Sequence, residues 1–303
     1  MANPDFLKSL PSFAERATQL SRHSTPYRDP VARIHWERLS RHAFWLPEQA
    51  VSLYGIEEYD ALPLAARQTL SHHEFARFLN AGVWLESLFL QRLAHATLKG
   101  PRATRIYHLH ELREEAGHSL MFLEFFERAG LDDCATAAHF DRWLTFLGRR
   151  LPFHSTLFWS AILLGEEVPD RLNRYVRLHA QGVCPVAVEL CVLHSTDEAR
   201  HIAYGQEVLR HRIAYGQEVL RHRLERAGRM ARLALGYALG GLLRRFVATF
   251  YYPPQDLYIR AGLPAGPWAA RAARHVLRRQ FVAHCLGPTV ARLRGLGLAI
   301  SWP

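Results

Sequence analysis

The chain has 303 residues, 49% hydrophobic and 22% charged, a composition that excludes whole-chain disorder and supplies a sizeable core. Its formal charge is +10, carried almost wholly by arginine: Lys8 and Lys99 are the only lysines among 38 basic residues. No polybasic tail or nucleic-acid motif accompanies this charge, so nucleic acid is not an expected partner.

The four cysteines (Cys134, Cys184, Cys191, Cys285) form no C-x-x-C pair, which argues against a zinc knuckle or a redox motif. Cys184 and Cys191 lie about 10 Å apart by helical rise, beyond disulfide reach. Reduced thiols and the lack of an apolar leader at the N-terminus lead to the expectation of a cytoplasmic protein. The longest apolar run, Leu233 to Leu243, falls short of the roughly 20 residues that span a bilayer.

In chain order, residues 1–62 are broken by prolines and read as short helices and loops wrapping the same domain. Residues 63–303 then read as a helical bundle. Phe75, Phe78, Leu79, Val83, Glu86, Phe89, Leu90 and Leu93 recur at helical spacing, and Gly100-Pro101 ends the run. Further helices are predicted over Thr104–Arg128, Ala135–Arg149, Ser155–Ala180, Pro185–Arg226, Met230–Tyr251 and Trp268–Leu296. No segment alternates as a strand. The expected class is all-α, a core of four long helices with additional N- and C-terminal helices.

Residues 202–212 and 213–223 both read IAYGQEVLRHR. An eleven-residue insertion makes about three turns, so it keeps the helix face while adding about 16 Å. A recent in-frame duplication or a sequence error accounts for it, and no function is attached to it.

Two Glu-x-x-His motifs carry the chemical signal: Glu115-Ala-Gly-His118 and Glu198-Ala-Arg-His201. Positions i and i+3 share a helix face, so each motif can offer a carboxylate and an imidazole to one site. Carboxylate bundles combine two such helices with two that give one Glu each. Glu86 lies 29 residues before Glu115, among apolar neighbours where an unpaired carboxylate is costly. Glu166 and Glu167 lie 32 and 31 residues before Glu198. His194 falls on the face of Glu198 and His201 and would add a third imidazole. Carboxylate and imidazole together, without thiolate, suit iron or manganese.

The segments HSTDEARHI (194–202), REEAGHS (113–119), WLES (84–87) and LLGEEVPD (163–170) resemble the p-aminobenzoate N-oxygenase family of ferritin-like non-haem diiron oxygenases. The likeness extends weakly from about Trp45 to Leu298. It implies seven metal ligands, Glu86, Glu115, His118, Glu167, His194, Glu198 and His201, with Glu166 the alternative to Glu167. It implies two iron ions, O2 as co-substrate, a small-molecule amine substrate, an external electron donor such as an acidic ferredoxin, and a homodimer. Glu114 and Asp197 are placed to accept hydrogen bonds from ligand imidazoles. The expected activity is N-oxygenation of an arylamine or other amine in natural-product biosynthesis. The alternatives are oxidation at carbon and a non-catalytic iron- or nucleic-acid-binding scaffold.

Overall fold

The computed structural model describes residues 13–131, 140–153 and 155–295. Among these residues there is no strand, and one parallel bridge, Phe44 to Val183, ties the N-terminal segment to the bundle. The helices are α1 (Phe13–Ser24), α2 (Glu57–Asp60), α3 (Leu64–Ala96), α4 (Arg102–Ala129), α5 (Arg142–Arg150), α6 (Thr156–Leu178), α7 (Pro185–Tyr251), α8 (Gln255–Arg260), α9 (Trp268–Arg274) and α10 (Val276–Gly295).

Two hairpins make the core. The turn around Gly100 and Pro101 folds α4 back on α3, and the turn at Gly182 (φ 76°) folds α7 back on α6. Helix α1 lies against α4 and α7, and α10 against α6. The faces turned inwards are apolar and aromatic, with Phe75, Phe122, Phe125, Leu163 and Leu190 fully buried. A smaller cluster joins Leu53 and Tyr59 to Tyr258 and Trp268, so the C-terminal helices pack on the segment before α3.

Helix ends follow local chemistry. Gly130 takes the left-handed cap of α4 (φ 61°), which a side chain would strain. Helix α5 begins at Arg142, where the Asp141 carboxylate accepts from the backbone amides of Trp143 and Leu144. Gly117 lies between Glu115 and His118, and a Cβ there would come within 2.4 Å of the Tyr27 hydroxyl and 3.2 Å of Pro30. The N-terminal segment therefore closes directly over the first Glu-x-x-His turn.

Two boundaries are corrected. The expected break between Arg226 and Met230 is absent: α7 is one helix of 67 residues, about 100 Å long, holding both copies of the duplicated segment. No proline stops it, and a glycine such as Gly228 inside a helix costs only about 1 kcal/mol. Conversely, Trp268–Leu296 is two helices, broken where His275 adopts an extended conformation (ψ 134°). Cys184, Cys191 and Cys285 are free and buried. Cys134, the start of the helix predicted from Ala135, the duplicated-region arginines at 221–232 and Leu296 onwards lie outside the residues or side chains described. No described helix is long and apolar enough to cross a membrane.

Candidate metal centre

Each bundle helix delivers side chains to one buried cluster. Helix α3 brings Glu86, α4 brings Glu115 and His118, α6 brings Glu166, and α7 brings His194, Glu198 and His201. Donor atoms of Glu86, His118 and His194 converge within 4.8 Å of one another, as do those of Glu115, Glu166, Glu198 and His201. All seven residues are buried.

Two carboxylates straddle the groups. One oxygen of Glu198 lies 2.9 Å from His194 Nε2 and 3.6 Å from His118 Nδ1, while the other lies 3.6 Å from His201 Nδ1. Glu115 reaches His118 with one oxygen (3.7 Å) and His201 with the other (2.9 Å). The i, i+3 spacing thus sets a carboxylate between two imidazoles on each of α4 and α7.

Of the adjacent pair Glu166 and Glu167, only Glu166 joins the cluster, and Glu167 stands apart. Its carboxylate is turned out of the cluster towards Arg292 of α10 (2.8 Å) and Arg171 (3.4 Å). Adjacent helical residues point about 100° apart, so Glu166 and Glu167 cannot share a face. The other six expected residues converge as described, with Glu166 in the seventh place.

Behind the imidazoles the supports are crossed. His118 of α4 meets Asp197 of α7 (Nε2 to Oδ2, 3.2 Å), and His201 of α7 meets Glu114 of α4 (Nε2 to Oε2, 3.0 Å). These acceptors fix each ring with Nδ1 facing the cluster. His194 Nδ1 lies 2.8 Å from the Asn173 amide, which leaves its Nε2 facing inwards. Arg200 contacts both Glu114 (3.0 Å) and Asp197, and its Nε donates to Ser24 Oγ (3.1 Å). One guanidinium therefore holds the partners of two histidines. Ser119 Oγ donates to Glu86 Oε2 (2.5 Å). Sequence reasoning found Glu114 and Asp197 but missed Arg200, although Arg200 sits inside the second motif.

The electrostatics are those of a site awaiting cations. Burial, then the nearby Glu115 charge, pushes the Glu86 carboxyl well up. Burial and the Glu198 charge do the same to Glu166. Burial opposes ionisation of Glu198 too, but the hydrogen bond from Glu166 and the charges of His194 and His201 hold it well down. Burial opposes charging of His201, yet Glu115 and Glu198 raise it well above the usual range.

Buried atoms without an aligned hydrogen bond concentrate here: Glu86 Oε1, both Glu115 oxygens, His118 Nδ1, Glu166 Oε1, Glu198 Oε2 and His201 Nδ1, the last despite its 2.9 Å approach to Glu115. Such atoms cost about 1–3 kcal/mol each unless something binds them. Four carboxylates balance the charge of two divalent cations, and mixed oxygen and nitrogen donors suit iron or manganese. The residues present fit a dimetal centre.

The other histidines described, and Tyr175, make contacts away from the cluster. His72 Nε2 meets the Ala43 carbonyl (2.8 Å), and His108 pairs with Tyr204 (3.0 Å). His139 and His154 lie outside the described residues. Tyr175 stacks on His179. Arg278 is buried and donates to the Ala50 and Tyr251 carbonyls.

A four-helix core that converges carboxylates and histidines on one buried point defines a ferritin-like carboxylate protein. The chain matches the sequence model of the P-aminobenzoate N-oxygenase AurF family over residues 11–297 and belongs to that family. It is 26% identical over 195 residues to uncharacterised proteins of Mycobacterium bovis and Mycobacterium tuberculosis, covering 62% of this chain and 53% of theirs. The chain thus spans about half the length of those curated relatives. Among solved structures it is similar to two variants of an R2-like ligand-binding oxidase with a reconstituted Mn/Fe cofactor. These are 12% and 14% identical, with TM-scores of 0.51 and 0.52 and 99% of both chains covered. That likeness bears on the fold. Family and fold together agree with a buried carboxylate and histidine centre in a four-helix core.

Proposed function

We propose that the chain is an O2-dependent dimetal oxygenase that oxidises the nitrogen of a small-molecule amine. Two iron ions would be held by Glu86, Glu115, His118, Glu166, His194, Glu198 and His201. The observation that carries this reading is the set of buried, unpartnered carboxylate oxygens and imidazole nitrogens at one point of the bundle. Membership of a family named for N-oxygenation supports nitrogen as the site of attack.

When bound, the metals supply O2 binding and its reduction. The chain's own residues do the rest. Asp197 and Glu114 accept from His118 and His201 and hold both rings in one tautomer. Arg200 keeps these two acceptors charged and in place. One cycle takes an amine, O2, two electrons and two protons to a hydroxylamine and water, so an external electron donor is required. A homodimer and a soluble, cytoplasmic setting belong to the same reading.

The test is product analysis with ferrous-loaded protein, a chemical reductant, O2 and aromatic amines. Gain of oxygen on nitrogen is the expected outcome. Oxygen on carbon would favour the hydroxylase alternative. Loss of all turnover with two metals bound would favour a non-catalytic scaffold.

A further inference from the structure

Two adjoining cavities lie among the bundle helices, and one of them reaches the metal centre. The first lies between α3, α5, α6 and α7, walled by Trp84, Leu88, Leu147, Ala161 and Phe246. The second is lined by Glu111 and Glu166. Phe89, Arg92, Phe158 and Ile162 line both, so the two form one passage. Glu166 belongs to the metal cluster, whereas Glu111 does not. Glu111 is 4% exposed, and its Oε2 has no hydrogen-bond partner.

Arg92 is the cation on this passage, and its guanidinium is already engaged. Nη1 donates to the Arg149 carbonyl (2.8 Å) and Nη2 to the Leu151 carbonyl (2.5 Å), and the group lies over the Phe158 ring, 5.0 Å from its centre. It anchors the end of α5 and offers little to an anion.

We propose that this passage is the substrate site, and that it takes an uncharged, apolar-bodied molecule whose one N–H or O–H donor group reaches Glu111. A carboxylate on the substrate is disfavoured, because it would be desolvated among apolar walls with no free cation to meet it. The direction of the passage rests on the dimetal reading, but occupancy can be measured without any reaction. The two cavities hold about 30 Å³ and about 10 Å³, room for water alone. A ring-sized guest enters by displacing side chains, among them Leu147 on the short helix α5.

The test is calorimetric titration of the full chain, as purified and after anaerobic ferrous loading, with 4-butylaniline, 4-butylphenol, butylbenzene and 4-butylbenzoate. The aniline and phenol should bind about tenfold more tightly than butylbenzene, as one buried hydrogen bond allows. The benzoate should bind more weakly than the aniline by at least about tenfold. Ala161→Phe should weaken every probe, and Leu147→Ala should tighten them; both positions are half-buried, and a melting curve checks folding. Glu111→Leu should erase the advantage of aniline and phenol over butylbenzene. Benzoate binding as tight as aniline would overturn the proposal in favour of an anion site at Arg92. Binding unchanged by Ala161→Phe, or no binding even to Leu147→Ala, would overturn the passage as the site. Intact binding with no oxidation on loading would count against the proposed reaction alone.

Discussion

Two buried carboxylate regions of this protein solve the same problem in opposite ways. At the junction of α3 with the C-terminal helices, Glu74 accepts from the Ser52 amide (3.0 Å) and from Ser52 Oγ (2.5 Å), which also meets the Tyr258 hydroxyl (2.8 Å). That knot satisfies itself with donors from the chain. In the bundle centre, Glu86, Glu115, Glu166 and Glu198 face one another and three histidines, and leave several atoms without partners. The difference teaches how to read a buried acid. One supplied with donors is structural cement, while a group of acids left short of donors is arranged for something the chain does not contain.

The largest break in this contrast should come from the straddling carboxylates. Glu115→Ala or Glu198→Ala should cut metal content from about two ions per chain to less than one, by elemental analysis after ferrous loading. Unchanged content would remove that residue from the ligand set.

Next comes the pair on α6. Glu166→Ala should lose metal, while Glu167→Ala should keep it and instead lower the melting temperature, since Arg171 and Arg292 lose their buried partner. The reverse pattern would return Glu167 to the centre.

Glu74 sharpens the other side. Burial raises its carboxyl from 4.5 to about 7, against the opposing pull of Arg278 and the Ser52 hydrogen bonds. An acid raised on folding stabilises most when protonated. Its contribution is full below the unfolded value of 4.5 and is lost as pH rises through about 7. The loss amounts to at most about 3 kcal/mol. Glu74→Gln should therefore flatten the denaturant midpoint between pH 5 and 8 relative to wild type, without touching metal content. A wild-type slope retained in the variant would contradict this.

A smaller effect is expected at Arg200. Arg200→Met should weaken metal binding roughly 10–100-fold, the range for residues that orient ligand histidines. Because Arg200 serves both supports, the signals of both metal positions should change in a spectroscopic titration. A change at one position only would confine its role to one histidine.

The two Glu-x-x-His motifs and Glu86 were legible in the sequence because helical spacing alone puts such residues on one inward face. Glu166 and Glu167 were not separable, because both sit in the same apolar stretch and the deciding partner, Arg292, lies on a helix more than a hundred residues away. The continuity of α7 was hidden behind Gly228, which reads as a stop but is only a weak one. The break at His275 was hidden for the opposite reason, since neither proline nor glycine marks it. Arg200 carries no signal of its own in the sequence, because its two carboxylate partners come from different helices. The passage to Glu166 exists only once α5 packs across α3, a contact no local pattern announces.

The central claim is that the unpartnered cluster holds two redox-active metal ions. Its most direct test is metal content per full-length chain after anaerobic loading with ferrous iron and desalting, with the absorption spectrum followed as O2 is added. The account predicts about two ions per chain and a transient visible band, both lost in Glu115→Ala. Less than one ion per chain, or two ions that leave the spectrum unchanged in O2, would contradict it.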